Sequence, residues 1–252
     1  MTARLPDIPD SAAAARDLLR RIKLLKALTD AELDALAGAL SWRRAAAREE
    51  VFSHLSTGDS IYFLCAGTCT LSMTTSFGEA FGIRSLRAGD HFGEIAALIG
   101  TPRSVAVRAA TACLLAEAPA LAFRAAMTAN AAFSADVASG LARTVVILTD
   151  RLFELAALEV RYRLYSELLR FAGSGKRTES GIVITPAPTH AALAAAIGAT
   201  RESVSRELTH LTHEGVLTRG RNQLVLHRPQ YLAEQTQRRA GQTVSQKLEW
   251  PK

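Results

Sequence analysis

The sequence predicts an α+β protein: a small antiparallel β-sandwich or barrel, then one long helix, then a helix-turn-helix module with a β-wing. Three observations carry this. From Val51 to about Ala118, short alternating stretches are punctuated by glycine turns. Leu141, Val145, Leu148, Leu152 and Leu155 recur at steps of four and three, a heptad-like seam on one helix. Near the C-terminus two capped helices are separated by a tight glycine-containing turn. At 252 residues the chain is long enough for two modest cores.

Each element follows in order. Residues 11–40 read as two short helices, the second capped by Thr29 with Glu32 three residues on, a capping-box pattern. In IYFLCAGTCTLSM, the residues Ile61, Phe63, Cys65, Gly67, Cys69, Leu71 and Met73 would share one strand face. Gly58-Asp59, Gly67, Gly78, Gly82 and Gly89-Asp90 read as turns, and Phe77-Gly78-Glu79 as a hairpin turn with no ligand role. SVAVRAATACLLAEA adds one or two strands. From about Ala131 to Arg170 the pattern is helical. The seam needs a cover, and no second long amphipathic helix exists to provide it. A second copy of the chain is therefore the expected partner, ahead of the chain's own β-domain. FAGSGKRTESG, residues 171–181, reads as a basic loop. From Glu234 on the chain is polar and aperiodic, and is expected to be loosely ordered.

Composition is ordinary for a globular chain, 48% apolar and 21% charged. No uninterrupted apolar run approaches the ~18 residues of a membrane span, and the N-terminus lacks signal-peptide order, so a soluble cytoplasmic protein is expected. Cys65, Cys69 and Cys113 form no C-x-x-C pair and are odd in number, which argues against a disulfide framework; Cys65 and Cys69 read as small apolar fillers. The charge is lopsided. Residues 161–252 hold 14 Lys and Arg against 7 Asp and Glu, whereas residues 1–160 hold 16 against 17. A basic module on a near-neutral one suggests a nucleic-acid-binding end and a different task at the other.

In that basic end, Thr189 caps HAALAAAI, which stops at Gly198, and Thr200 caps a second helix two residues later. Val204, Leu208 and Leu211 face a core. Arg201, Glu202, Ser205, Arg206 and Thr209 face outward, near the helix N-terminus where such helices meet base edges. Arg can take guanine O6 and N7, and Glu can accept from cytosine N4. VLTRGRNQLVL then reads as a hairpin whose basic turn, with Arg219 and Arg221, lies over the DNA backbone. The cap and first-turn residues Thr189, His190, Thr200 and Ser203 complete the expected DNA face.

GDHFGEIAALIGTPRSV, residues 89–105, poses a second question, since it sets a Gly-Glu pair ten residues from an Arg-Ser. A cyclic nucleotide offers an anionic phosphate, a ribose 2′-hydroxyl and a base. Arg103 and Ser104 suit the phosphate, and Glu94 can accept from the 2′-hydroxyl. Gly93 lets the backbone approach the sugar, and the short helical turn IAALIG would present N–H groups.

These residues resemble the phosphate-binding cassette of cyclic-nucleotide-binding domains, including those of cyclic-nucleotide-dependent kinases. TRESVSR resembles the recognition helix of the CRP/FNR superfamily of bacterial transcription regulators. Both motifs occur in the expected order, so the chain from about Leu24 to His227 resembles that superfamily. The resemblance implies a jelly-roll-like β-roll over residues 1–130, a dimerisation helix and hinge over 131–164, and a winged helix-turn-helix over 165–252. It implies ligand contacts from Phe92, Gly93, Glu94, Ile95, Ala96, Arg103 and Ser104, with Thr149 beside the seam contacting the base. It further implies a homodimer on palindromic double-stranded DNA, contact with RNA polymerase, a cyclic AMP or cyclic GMP effector, and no metal.

Three positions depart from the pattern. Leu148 stands where the family's cyclic AMP receptor has a second hydroxyl, which opens the identity of the base. Val105 replaces a frequent Ala, and Ser205 stands where that receptor has a Gly. A constitutive regulator, or one sensing another ligand such as a cyclic dinucleotide, is the alternative. An enzyme would need a catalytic domain, and the residues after the long helix hold no nucleophile–base pair, metal motif or P-loop. An iron–sulfur branch would need an N-terminal cysteine cluster, absent here. His54 and His91 read as exposed turn histidines and not as haem ligands.

Overall fold

The computed structural model describes residues 5–74 and 80–240. Its chain divides into two compact units, Met1–Leu141 and Ala142–Lys252. The first contains α1 (Ala12–Leu19), a 3₁₀ turn (Lys23–Ala27), α2 (Asp30–Ala37), β1 (Ser41–Ala45), β2 (Glu50–Phe52), β3 (Ile61–Ala66), β4 (Thr68–Thr74), β5 (Ala80–Arg87), β6 (His91–Phe92), α3 (Glu94–Ile99), β7 (Ala106–Ala109), β8 (Cys113–Ala118) and α4 (Ala120–Ala129). The helix α5 (Ala131–Ala157) begins in this unit and ends in the second.

The strands form two four-stranded antiparallel sheets, ordered β1-β8-β3-β6 and β2-β7-β4-β5. Tyr62, Leu64, Phe92, Val107 and Leu115 fill the core of one cluster. A second cluster packs Ile61, Phe63 and Cys65 of β3 against Leu19, Leu33, Leu36, Phe123 and Phe133 of the helices. β3 is therefore buried on both faces, its odd residues under helices and its even residues in the other core. This corrects the single-strand reading of residues 61–73. At Gly67, φ is +88° and a Cβ would lie 2.3 Å from the Ala112 carbonyl oxygen. The chain turns there and changes sheet, so Cys69 and Leu71 join the cluster of Tyr62 and Leu64, and Met73 is exposed. Gly82 lies inside β5 at a register shift and not in a turn. The predicted turn at Phe77-Gly78-Glu79 lies outside the described residues.

Capping sets the helix starts. Thr29 and Glu32 close the predicted box at 3.3 and 2.7 Å, and backbone hydrogen bonding at Thr29, then Asn130, holds the Glu32 carboxyl below its usual range. Asn130 in turn accepts from the Phe133 amide and starts α5. A helix over Ala120–Ala129, absent from the sequence reading, precedes it. The three cysteines are buried and free.

The second unit contains α6 (Val160–Gly173), β9 (Lys176–Thr178), β10 (Gly181–Ile184), α7 (His190–Ile197), α8 (Arg201–His213), β11 (Leu217–Arg219), β12 (Leu224–Leu226) and α9 (Pro229–Ala240). The α+β class and the helix-turn-helix with its β11–β12 wing are as predicted. Three details differ. The helical run breaks between α5 and α6 at Leu158-Glu159. Residues 176–184, read mostly as a loop, form a hairpin whose β10 pairs with the wing strand β12. The chain after Glu234 continues as α9 to Ala240, because Leu232 and Thr236 are buried against the core.

On α5, Leu141 packs against the helical cluster, whereas Val145, Leu148, Leu152 and Leu155 are 62%, 54%, 67% and 48% exposed. By length and composition α5 is also apolar enough to cross a bilayer, with a mean hydropathy of 1.4. Yet Asp136, Arg143, Asp150, Arg151 and Glu154 recur along it, and each charge at a bilayer centre would cost about 2.5–3.5 kcal/mol.

Candidate functional site

Of the cassette residues, Gly93 touches Arg103 directly and Phe92 backs the Tyr62 ring beside it. The Arg103 guanidinium is almost fully buried, with the residue 3% exposed. Nη1 donates to the carbonyls of Ser60 at 2.7 Å and Gly93 at 3.3 Å. The cation lies 4.3 Å from the centroid of the Phe52 ring and 5.6 Å from that of Tyr62. Tyr62 stacks on Phe92 at 5.2 Å, and its hydroxyl donates to Glu117. Burial, then that carboxylate, push the Tyr62 phenol up to about 12. The arginine is thus held by two carbonyls and an aromatic wall. Its Nε has no partner, and among the described residues no carboxylate pairs with it. A buried cation left without a counter-ion is costly unless an anion arrives.

Gly93 shapes the same point. It caps α3 at φ +89°, and a Cβ there would lie 2.7 Å from Arg103 Nη1 and 2.9 Å from the Ser60 carbonyl oxygen. Only glycine lets the backbone pass this close to the guanidinium. Glu94 opens α3 half-buried and makes no ion pair among the described residues. Ala96 is buried beneath the helix, Ile95 is exposed, and Phe92 belongs to the aromatic wall. Ser104 is exposed. A cleft of about 230 Å³ opens beside them, lined by Thr57, Gly58, Asp59, Gly100, Thr101 and Pro102. Thr149 belongs to the other unit, where its hydroxyl donates to the Val145 carbonyl at 2.9 Å. His54 is half-buried, and so is His91, which lies in strand β6 and not in an exposed turn. The parts that sequence reasoning missed are Phe52, Ser60 and Tyr62. They lie 41 to 51 residues before Arg103, and no spacing rule links them to it.

The second unit builds the other face. Thr189 accepts from the Ala192 amide and Thr200 from the Ser203 amide, the expected caps. Val204, Leu208 and Leu211 of α8 are buried, while Arg201, Glu202, Arg206 and Thr209 are exposed. Glu207, half-buried on the same helix, accepts from the Tyr165 hydroxyl at 2.6 Å and ties α8 to α6. Arg163 donates to the Leu155 and Gly198 carbonyls, which fixes the turn between α7 and α8. On the wing Arg221 is exposed, and Arg219 donates to His190 at 2.9 Å.

Two family models match the chain: a cyclic nucleotide-binding domain over residues 42–130 and a Crp-like helix-turn-helix domain over residues 162–235. The chain is similar to the global nitrogen regulator of a Nostoc species, 29% identical over 180 residues, 70% of this chain and 81% of that protein. It is also similar to the cAMP-activated global transcriptional regulator CRP of Salmonella typhimurium, 26% identical over 161 residues, 64% of this chain and 77% of that one. Among solved structures, a CRP/FNR-family transcriptional regulator from Thermus thermophilus matches with a TM-score of 0.63 at 25% identity, over 79% of this chain and 100% of that one.

Proposed function

Because the chain belongs to the CRP/FNR family of transcription regulators, we propose that it acts as a homodimer whose β-domain binds a cyclic nucleotide and whose paired α8 helices read a two-fold symmetric DNA site. The observation that carries the ligand half is the buried, unpaired guanidinium of Arg103. An anion there gains a charge-assisted contact and removes the penalty of an uncompensated cation. A cyclic phosphate fits that need, with Ser104 donating beside it and Glu94 accepting from the ribose 2′-hydroxyl. The exposed apolar face of α5 supports the homodimer, since a second copy of the same face would cover it.

Cyclic AMP is the effector this reading favours. Leu148 in place of a hydroxyl and the exposed Ser104 support cyclic GMP as the second candidate. Thr149 is the residue assigned to the base. Arg201, Glu202 and Arg206 are assigned to base edges, and Arg221 to the backbone. Gating requires that the nucleotide bind one arrangement of the α5–α6 junction more tightly than another, since equal affinity shifts nothing.

The test is DNA affinity on a palindrome with half-sites about 34 Å apart, measured with and without each nucleotide. The effector should tighten binding. Ser104→Ala should remove a cyclic GMP preference, and Thr149→Ala a cyclic AMP preference. If neither nucleotide changes DNA affinity, the gating reading fails and a constitutive regulator replaces it.

A further inference from the structure

His190 is the first residue of α7, outside the reading helix, yet both of its ring nitrogens are engaged. Nδ1 lies 2.6 Å from the Ser205 hydroxyl on α8, and Nε2 lies 2.9 Å from Arg219 Nη1 on the wing strand β11. A guanidinium can only donate, so Nε2 must accept. The ring proton is then on Nδ1, and it is donated to Ser205 Oγ. One neutral tautomer satisfies both contacts. A doubly protonated ring would set an N–H against an N–H of Arg219.

From this geometry we propose that His190 is a positioning residue that ties the wing to the reading helix and fixes Ser205 as a hydrogen-bond donor toward DNA. His190 takes one of the two lone pairs of the Ser205 oxygen and fixes where the hydroxyl lies, and its proton stays free to offer to DNA. As a donor it meets acceptors at the base edge: purine N7, guanine O6 or thymine O4. Its backbone is steadied as well, because Thr209 Oγ1 donates to the Ser205 carbonyl at 2.9 Å. Arg219 is held in the same chain, which sets where the wing meets the duplex. The proposal rests on α8 being the reading helix and deepens that reading by naming what orients it.

The protonation state supports the geometry. Burial, then Arg219 of β11, then Arg201 of α8, lower the pKa of His190, and among the described residues no carboxylate pairs with the ring. The neutral ring is therefore the form near pH 7.5. As pH falls through the lowered pKa the ring gains a proton, the Arg219 contact is lost, and one more positive charge stands near the duplex.

The test uses full-length dimer with its effector. It compares the palindrome that the wild type selects from a random pool with a scrambled duplex of equal length, from pH 5.5 to 8. At pH 7.5 His190→Ala should lose roughly three- to tenfold in discrimination, the size of one hydrogen bond, as should Ser205→Ala. The double variant should lose no more than either alone. For the wild type, discrimination should fall toward pH 5.5 while scrambled-duplex affinity rises. His190→Gln, whose amide can accept from Arg219 and donate to Ser205, should keep discrimination at pH 7.5 and show no step with pH. Equal discrimination by wild type and His190→Ala, additive losses in the double variant, or a pH step that persists in His190→Gln would each overturn the positioning role. A wild type without any sequence preference would overturn the reading of α8, and this role with it.

Discussion

Arg103 in the β-domain and Arg170 in the C-terminal unit both carry guanidinium groups withdrawn from water, and their surroundings are opposite. Arg170 donates to Glu167 at 2.7 Å and to Glu154 at 2.5 Å, with Arg151 3.8 Å from Glu167. The carboxylate side chains are 8% and 12% exposed. That cluster joins the end of α5 to α6 and satisfies its own charges. Arg103 has carbonyls and aromatic rings around it and no carboxylate among the described residues. A cation consumed by its fold is structural. A cation that the fold positions and leaves unneutralised is available to a ligand.

The two sites should therefore fail in opposite ways. The largest effect is expected at the paired site. Arg170→Met strips Glu154 of its partner and leaves Glu167 only Arg151 at 3.8 Å, and should cost about 3–5 kcal/mol in unfolding free energy, read by urea titration. Adding Glu154→Gln and Glu167→Gln to that variant should recover most of the loss. If Arg170→Met alone is harmless, the cluster does not hold α5 to α6. Next comes Gly93→Ala, which forces a side chain into φ +89° and against Arg103. It should cost about 1–3 kcal/mol of stability and weaken nucleotide binding with it. The smallest effect on stability is expected at the unpaired site. Arg103→Leu removes a buried charge with no counter-ion, so the melting temperature of the ligand-free protein should stay or rise. A clear drop would mean that Arg103 holds the fold together.

On the DNA side the same contrast runs between Glu207 and Glu202. Glu207 is bonded to Tyr165, whereas Glu202 is exposed on the same helix. Glu202→Ala should lose roughly 1–3 kcal/mol of discrimination at one base pair. Arg221→Ala should weaken all sequences alike and flatten the salt dependence. A uniform loss across sequences for Glu202→Ala would remove its base contact from the account.

Much of the fold was legible in sequence because its signals are local. Caps at Thr29, Thr189 and Thr200, the stop at Gly198 and the seam on α5 depend on neighbours within a few residues. The change of sheet at Gly67 was not legible, because only the approach of Ala112 from a distant loop makes glycine necessary there. The same holds for α9, whose Leu232 and Thr236 are buried by packing that no polar-rich stretch announces. At the candidate site, Glu94, Arg103 and Ser104 stand out by residue type and spacing. The cage that leaves Arg103 unpaired comes from Phe52, Ser60 and Tyr62 on other strands. Likewise the three-residue chain through His190 joins α7, α8 and β11, which only the folded unit brings together.

If the charge of Arg103 is kept for the phosphate of a cyclic nucleotide, calorimetric titration will read it as binding energy. Wild type and Arg103→Leu would each be titrated with cyclic AMP and with cyclic GMP, after confirming equal melting. The wild type should bind at least one nucleotide saturably, and the variant should lose about 1.5–3 kcal/mol, roughly 10- to 150-fold in affinity. Equal affinity in the two proteins, or no binding of either nucleotide to the wild type, would contradict that role for Arg103.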